Sequence, residues 1–445
     1  MRLNTSYKDI FLLSLPIMLG SAAQNVIVLS DNVFLYHYDY VDFAASGLIG
    51  VFYLIIASIG YGFSRGGQII IARRHGERNF EGAGMNFRAL FFFEFLLSII
   101  IFLYLHYGSA SFFQYFIKNP EIYEKCIDYI GPRSWGIFFS YLGVSIIAFY
   151  TGIARTKFIM IDTVVLIVVN VLLNYVLVFG KFGFEPMGIK GAAIASTIAE
   201  AVAFVVFVVY MYFDKEIRKY KLLSFNLFKK DTFYNMFSVS LPIVFQSILG
   251  IGSWFIFFTF IENVGSRELE ISNMMRTIYL ILSIPCWGFS AGINTLVSNF
   301  IGYKKRQAVM PLIYKTININ LLITFLISLP VILFPEYILY PLFGKSDMTL
   351  IQVTKPYLPI LFLILGVFSV GGIMINGLIG TGHTKTALFI QTIFTAGYII
   401  YSYLVMKQNY YGLNWAWAAE IFYWGGIAIM SWYYMRSKKW YVHKF

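Results

Sequence analysis

Oxygen-bearing side chains interrupt several long apolar stretches of this 445-residue chain. Asp31 lies in the first stretch, whereas Asn170 and Asn174 share one face of a later helix because they are four residues apart. Ser196 and Thr197 add hydroxyl groups near the start of the next stretch. A carboxylate among amide and hydroxyl oxygens suits a hard cation such as Na⁺, and a poorly hydrated carboxylate suits H⁺. These five residues are therefore candidates for an ion-coupling site.

Two other interpretations of these residues stay open. In one, Asp31 is hydrated at the outer end of its helix. In the other, Asn170 and Asn174 form hydrogen bonds that hold helices together. Pro16 lies fifteen residues before Asp31 in the same stretch and removes one backbone hydrogen bond. We therefore expect the first helix to bend at Pro16.

Three further acidic residues also fall within apolar stretches. An ionisable group at membrane depth costs at least about 2.5 kcal/mol, so each needs a partner, a water-filled cavity or a proton. Glu94, Glu200 and Glu420 are these buried acids. For Glu200 and Glu420 two roles stay open: a structural role, with Arg65 or Arg276 as the partner, and a second-tier role in transport.

Aromatic residues make up 19% of the chain, more than the two membrane interfaces require. Some of them, together with amide side chains, are candidates for a substrate cavity that takes flat cations by stacking and cation–π contacts. The alternative for each is packing in the core or against lipid. The candidates are Tyr141, Gln246, Trp254, Trp287 and Asn294.

The composition requires these residues to be positioned by membrane-spanning helices. The chain is 59% hydrophobic and only 13% charged, with a mean hydropathy of +0.71. A stretch of about 20 apolar residues crosses the bilayer as a helix, which satisfies its own backbone. We predict an all-α polytopic membrane protein. Its twelve spans lie at 9–36, 43–72, 87–107, 128–152, 159–180, 188–213, 233–261, 270–302, 309–335, 352–380, 384–406 and 411–435.

The basic residues are concentrated in alternate loops. Arg73 and Arg74 follow the second span, a basic stretch follows the sixth, and Lys304 and Lys305 follow the eighth. By the positive-inside rule these loops are cytoplasmic, and so are both termini. The net charge of +12 therefore reflects topology in the inner (plasma) membrane rather than nucleic-acid binding.

An internal repeat divides the spans into two halves. Ser14-Leu15-Pro16-Ile17 recurs as Ser240-Leu241-Pro242-Ile243, an offset of 226 (240 − 14), and Gly62 and Gly66 recur at the same offset as Gly288 and Gly292. The glycine pairs also fit simple close packing of helices. We predict an N-lobe at 1–213, a cytoplasmic linker at 214–232 and a C-lobe at 233–445, which rock against each other during alternating access.

These motifs together resemble the multidrug and toxic compound extrusion (MATE) family, in the DinF-like branch of the multidrug/oligosaccharidyl-lipid/polysaccharide exporter superfamily. The first-helix motif with Asp31, the glycine-rich second span, and Asn170-x-x-x-Asn174 followed by Gly188 carry the likeness. The resemblance implies a V-shaped pair of six-helix lobes. It also implies export of amphipathic, often cationic compounds in exchange for Na⁺ or H⁺, with Pro16, Asp31 and Asn170 in the coupling site.

The sequence departs from the family pattern in its acidic residues. Many relatives carry an aspartate where this chain has Asn174, and the acids that another branch uses in its seventh and tenth helices are missing. Cation affinity depends on ligand charge, so we favour H⁺ or a weak Na⁺ site. We expect no cofactor beyond the ion, no metal other than Na⁺, no ATP, small organic substrates and a monomer.

Two other functions compete with export. A flippase for lipid-linked oligosaccharides needs a basic cavity for diphosphate, and only Arg65, Arg133 and Arg276 lie at membrane depth. A membrane-embedded transferase needs a His or Asp base near the bilayer surface, but the five histidines fall at span ends, in loops or at the C-terminus. We therefore expect a transporter rather than an enzyme.

Overall fold

The structure is a computed structural model that describes residues 6–222, 224, 230–343, 348–408 and 412–442. All regular secondary structure in these residues is helical, as the apolar composition predicts. The long helices are α1 (Tyr7–Tyr38), α2 (Tyr40–Gly76), α3 (Phe80–Leu103), α4 (Pro120–Gly152), α5 (Lys157–Phe179), α6 (Gly188–Phe213), α7 (Lys230–Val264), α8 (Ser266–Leu282), α9 (Ile284–Gly302), α10 (Val309–Leu333), α11 (Leu358–Gly380), α12 (Thr384–Tyr403) and α13 (Leu413–Arg436). Shorter helical segments are Tyr104–Gly108, Ser109–Phe116, Lys215–Tyr220, Arg306–Ala308, Pro335–Phe343, Met348–Thr354, Lys355–Tyr357, Leu404–Gln408 and Lys439–Val442.

The predicted spans lie mostly on helices of the described residues, although residue 411 of the last span falls outside them. Within the described residues, nine helical stretches are long and apolar enough to cross a membrane. The pair α8 and α9, bent by 45° at a short break, makes a tenth if the two form one span. Pro285 in the first turn of α9 lacks a backbone N–H, which accounts for a break at this place. The first and twelfth predicted spans are the 32-residue α1 and the 24-residue α13.

The chain forms two compact units whose boundaries lie inside helices. One unit is Leu19–Val244; the other contains the described residues before Leu19 and those from Phe245 onward. The start of α1 thus belongs with the second half of the chain, and the start of α7 belongs with the first half. These boundaries differ from the predicted lobes at 1–213 and 233–445, because each repeat packs the start of its first helix into the other unit.

The repeated glycines are the contact points for these exchanged segments. In the unit Leu19–Val244, a methyl group added at Gly62 would lie 2.7 Å from Cγ2 and 3.0 Å from Cα of Val244. The corresponding glycine of the other unit, Gly288, faces Met18 in the same way, with the added carbon 3.0 Å from its Cα. The two glycines therefore allow close helix packing, as the packing interpretation of the motif predicts.

The first residues of the predicted linker 214–232 are packed against helices. The segment Lys215–Tyr220 is a 3₁₀ turn, and the Asp214 carboxylate accepts a hydrogen bond from the backbone of Glu216. Arg155 Nη1 lies 2.6 Å from Asp214 Oδ2, and the buried Tyr220 hydroxyl lies 2.8 Å from Nδ1 of His75. This part of the predicted tether is thus bound to the ends of α2 and α4, because its tyrosine and aspartate find partly buried partners there. Residues 223 and 225–229 lie outside the described residues.

Candidate functional site

Asp31 is surrounded by three neutral side chains within the unit Leu19–Val244. Its Oδ1 accepts hydrogen bonds from Nδ2 of Asn174 at 2.5 Å and of Asn170 at 3.4 Å. The Ser196 hydroxyl donates to Oδ2 at 3.2 Å. Asp31 is half-buried, whereas the two asparagines and Ser196 are buried. The structure thus brings four of the five candidate residues together, from α1, α5 and α6; their role in ion coupling stays a prediction.

The two asparagines are also joined to each other and to Ser196. Asn174 Nδ2 donates to Asn170 Oδ1 at 3.2 Å, and Asn170 Nδ2 donates to the Ser196 hydroxyl at 3.0 Å. One acceptor is left over, because the buried Oδ1 of Asn174 receives no hydrogen bond from any described residue. A buried lone pair beside a carboxylate is a place where a cation can bind.

Thr197 does not join this cluster. Its hydroxyl donates to the backbone carbonyl of Pro132 on α4, at 3.2 Å. The next side chain on an α-helix points about 100° away, so Ser196 and Thr197 cannot both face Asp31. The hydroxyl of Thr197 instead accompanies a contact between α6 and α4.

Glu200 is paired with Arg133 and not with Arg65 or Arg276. The two Arg133 terminal nitrogens each lie 2.6 Å from one Glu200 oxygen, which is a bidentate pair between α4 and α6. The Arg133 guanidinium also lies 4.2 Å from the centroid of the Tyr53 ring. The charge of Arg133 is therefore largely neutralised by Glu200, although Arg133 still attracts Asp31 electrostatically.

Glu420 is likewise not paired with an arginine. Its Oε1 accepts hydrogen bonds from Trp254 Nε1 at 2.6 Å and from the Tyr398 hydroxyl at 3.0 Å. Its Oε2 accepts one from Trp424 Nε1 at 3.1 Å. Arg276 lies over the ring of Phe258, with 4.8 Å between the guanidinium carbon and the ring centroid. The expected pairing with Arg65 or Arg276 is wrong for both acids, because partner choice depends on which helix faces meet.

The third buried acid, Glu94, contacts a serine. The Ser64 hydroxyl of α2 donates to Glu94 Oε1 at 2.8 Å, and Oε2 has no hydrogen-bond partner among the described residues. The Glu94 side chain is fully buried on α3. A carboxyl group with one unsatisfied oxygen is a candidate for a protonated acid at this depth.

The predicted cavity residues fall into different environments. Tyr141 is buried, and its hydroxyl donates to the backbone carbonyl of Ile56 at 2.7 Å, so it acts as a packing residue. Gln246 and Asn294 are buried and have amide atoms without a described partner. Trp287 is 42% exposed, and Trp254 is half-buried beside Glu420. Trp254 and Trp287 are thus the two aromatic candidates that reach the surface of their unit.

The helix α1 is continuous through Pro16, which is buried. The predicted bend at this residue stays a prediction. Both cysteines, Cys126 and Cys286, are buried free thiols. Among the described residues, no group of three or more His, Cys, Asp or Glu side chains is placed to hold a metal ion.

Two buried acids were missed by the sequence analysis. Asp42 is fully buried; it accepts a hydrogen bond from the backbone of Ile189 at 2.8 Å and lies 2.7 Å from Lys125 Nζ. Asp42 lies one residue before the predicted span 43–72, although the pattern Asp39-x-x-Asp42 is typical of a helix start. Asp162 on α5 is buried, with Oδ1 lacking a described partner. Its position inside a predicted span was the signal that could have identified it.

The profile of the MatE family matches residues 16–176 and 242–404, which cover both repeats and include Asp31, Asn170 and Asn174. The chain belongs to the MatE family of membrane transporters. Within this MatE protein the two matched segments begin at the repeated prolines, Pro16 inside α1 and Pro242 inside α7.

Relatives and solved structures agree with this assignment. The MatE chain is 24% identical over 426 residues to the probable multidrug resistance protein NorM of Thermotoga maritima, covering 93% of this chain and 89% of that protein. Its fold is similar to that of a multidrug resistance MATE family transporter in an outward-facing conformation, with a TM-score of 0.88, 18% identity, and coverage of 97% and 95%. A transporter of the same superfamily from Pyrococcus furiosus, described as having reverse polarity of its binding pocket, matches with a TM-score of 0.87, 19% identity, and coverage of 97% and 95%.

Proposed function

We propose that this chain is a secondary-active antiporter that exports amphipathic or cationic small molecules in exchange for an inward-moving ion. Membership of the MatE family and the multidrug resistance names of its relatives support export. The observation that carries the coupling site is the Asp31 carboxylate, which is held by Asn170, Asn174 and Ser196 and by no ion pair in the described residues.

An unpaired carboxylate at membrane depth changes its surroundings when it is neutralised. With an ion bound, Asp31 no longer needs three donors, so the contacts between α1, α5 and α6 weaken; without the ion, they tighten. Binding of the ion thereby favours one arrangement of α1 over another. Alternating access follows if substrate and ion favour different arrangements.

The orientation of the amides favours H⁺ over Na⁺ as the coupling ion. Asn170 and Asn174 both direct N–H groups toward Asp31, whereas a bound Na⁺ needs their carbonyl oxygens. A proton needs no such rotation, because it adds directly to a carboxylate oxygen. Na⁺ could use the free Oδ1 of Asn174, but it requires the N–H groups to turn away from Asp31 and finds a single carboxylate, which binds it weakly.

We place the transporter in the plasma membrane as a monomer, with both termini cytoplasmic and no ATP requirement. The basic loops after the second and eighth spans support this orientation through the positive-inside rule. Cysteine substitutions at the exposed loop residue Lys304 and at the exposed Tyr40, the first residue of α2, labelled in intact cells, test it. Labelling of position 304 from outside would contradict the orientation.

The deciding experiment follows efflux of a fluorescent organic cation from liposomes while a pH gradient or a Na⁺ gradient is imposed separately. We expect the wild type to respond to the pH gradient and Asp31→Asn to lose the response. Asp39→Asn is the matched control, since Asp39 is an exposed helix cap and asparagine caps equally well. Absence of cation efflux under both gradients, from folded wild-type protein, would exclude multidrug export and direct attention to lipid substrates.

A further inference from the structure

The internal repeat extends to the last two helices of each half. Gly152-x-x-x-Thr156-Lys157 before α5 recurs as Gly380-x-x-x-Thr384-Lys385 before α12, an offset of 228 (384 − 156). A glycine with positive φ precedes the buried start of the next helix in both halves: Gly188 with φ 51° and Gly412 with φ 103°. Their offset is 224 (412 − 188), and it pairs the buried Ala192 with the buried Ala416.

These offsets place Glu420 at the position that corresponds to Ser196. They also place Tyr398 at the position of Asn170. The contact recurs in both halves: Asn170 donates to Ser196 at 3.0 Å, and Tyr398 donates to Glu420 at 3.0 Å. The C-terminal half therefore contains a counterpart of the Asp31 site.

In this counterpart the carboxylate lies on a different helix from the one that carries Asp31 in the first half. The residue that corresponds to Asp31 in the first-helix repeat is Phe257, whose ring packs 5.7 Å from that of Tyr398. The acid stands instead on α13, at Glu420, and the first-helix contribution comes from Trp254, one turn before Phe257. Three helices thus surround one carboxylate in both halves, with α1, α5 and α6 in one and α7, α12 and α13 in the other.

The Glu420 carboxyl group has no basic partner within the described part of the chain. Its three partners, Trp254, Tyr398 and Trp424, are neutral donors, and no described basic side chain forms an ion pair with it. An indole N–H only donates, so two of these three contacts require acceptor oxygens. Glu200, by contrast, has a bidentate arginine. A buried anion without a countercharge attracts a cation.

Aromatic rings lead from this carboxylate to the surface of the unit. The Trp424 ring centroid lies 4.5 Å from that of Phe368, which lies 5.5 Å from that of Trp287. Tyr279 lies between Trp254 and Phe368, at 5.5 Å and 5.7 Å. Trp287 is 42% exposed, so the row of rings begins at the surface and ends at Glu420. Rings of this kind bind organic cations by cation–π attraction, and their quadrupoles add to the field of a carboxylate.

We propose that Glu420, Trp254 and Trp424 form a second cation site, in which the positive group of an organic cation binds against the indole rings and is neutralised by Glu420. The proposal deepens, and rests on, export of organic cations as the proposed function. A metal cation is the wrong occupant, because the carboxylate and one phenol supply too few oxygens for Na⁺. The organic cation and the coupling ion then occupy repeat-related sites in different halves.

The test measures equilibrium binding of tetraphenylphosphonium to the purified full chain in detergent, by dialysis at constant pH and without any gradient. We expect Glu420→Gln to bind at least about tenfold more weakly than the wild type, and Trp254→Phe to weaken binding as well. Glu262→Gln, an exposed acid on α7, and Trp415→Phe, an exposed tryptophan on α13, are the matched controls and should bind like the wild type.

Two results would overturn the proposal. One is wild-type affinity in both Glu420→Gln and Trp254→Phe, which would show that neither side chain contacts the bound cation. The other is no binding by folded wild type, which leaves ion coupling at Asp31 to the liposome experiment. Size-exclusion chromatography checks that each variant is folded. If Glu420→Gln aggregates, the affinity of Trp254→Phe for tetraphenylphosphonium alone decides the test.

Discussion

The buried acids of this transporter divide into those that have a basic partner and those that do not. Glu200 is held by Arg133 and Asp42 by Lys125, so each of these pairs ties helices together. Asp31 and Glu420 are held only by neutral donors. Removal of a partner should therefore destabilise the fold in the first group. In the second group it should alter ligand binding.

The Asp31 site has one carboxylate, and adding a second should change its ion preference. Asn174→Asp places a second carboxylate within reach of Asp31, and two carboxylates with the oxygens of Asn170 and Ser196 bind Na⁺ more tightly. We expect half-maximal stimulation of transport at a Na⁺ concentration at least about tenfold lower than in the wild type, measured in liposomes. The control Asn414→Asp adds the same charge at an exposed position on α13. No Na⁺ response in Asn174→Asp would argue against an ion site at Asp31.

The Arg133–Glu200 pair should behave as a structural ion pair. Arg133→Gln leaves the Glu200 charge unpaired and should destabilise the protein by about 3–5 kcal/mol, read as a lower apparent melting temperature in detergent. The double variant Arg133→Gln with Glu200→Gln should recover much of this loss, because no charge is then left unpaired. Additive losses in the double variant would show that the two residues act independently.

The members of the Asp31 site were predictable, but the partners of the other acids were not. Asn170 and Asn174 were found because a spacing of four residues fixes their common face without any tertiary information. The partner of Glu200 depends on which face of α4 meets α6, and Arg133 is 67 positions away from it. Thr197 lies outside the Asp31 cluster for a local reason, because adjacent residues on a helix point in different directions.

At the scale of helices, small residues decide where the helices approach each other. Gly66 faces the side chain and Cα of Ser240 on α7, and Gly292 faces Ser14 on α1. The Ser240 hydroxyl donates to the backbone carbonyl of Phe63 at 3.0 Å, so the close contact also supports a hydrogen bond between helices. The bounds of these helices followed from the apolar stretches, whereas the 45° break between α8 and α9 was not predicted.

Adding one carbon at two glycines of α2 should have opposite effects. Gly66→Ala overlaps Ser240 and should destabilise the protein by about 1–3 kcal/mol, whereas Gly47→Ala has nothing within 4 Å and should stabilise it by up to about 1 kcal/mol. Thermal unfolding of both variants in detergent gives the comparison. Equal shifts in the two variants would contradict the close approach at Gly66.

The packed turn after α6 should control protease access to the middle of the chain. Burial acts to lower the pKa of Arg155, but the carboxylates of Asp214 and Glu216 outweigh it and raise this pKa. The contact with Asp214 therefore stays charged on the Arg155 side. Asp214→Ala should release Lys215–Tyr220 and speed trypsin cleavage there at least about threefold, as followed by gel electrophoresis. Asp231→Ala is the control; an unchanged rate in Asp214→Ala would show that Asp214 does not hold the turn.

At the scale of the whole molecule, the two units do not correspond to the two halves of the sequence. The repeated Ser-Leu-Pro-Ile motif identifies the two halves of the sequence. It does not predict that the starts of α1 and α7 each pack in the unit formed mainly by the other half. Sequence similarity records which segments are equivalent and not which of them pack together. The helical, membrane-spanning architecture was thus predictable, while the grouping of the helices required the structure.

Separating the halves should leave each fragment incomplete. When the chain is divided between Ser224 and Phe225, the first fragment loses the segment that packs on Gly62 and Gly66, and the second loses the one that packs on Gly288 and Gly292. We expect each fragment alone to aggregate on size-exclusion chromatography and the two, when produced together, to elute as one complex. A monodisperse first fragment with the apparent melting temperature of the intact protein would contradict the exchange.

The exchanged helix starts also bear on how such a chain arose. Two identical half-length proteins that each lend the beginning of their first helix to the other form a domain-swapped dimer. Duplication and fusion of one gene preserves that arrangement, because joining the C-terminus of one copy to the N-terminus of the next breaks neither exchanged contact. A fused chain of this architecture therefore needs no new contact between its halves, because the exchanged helix starts already make each half depend on the other.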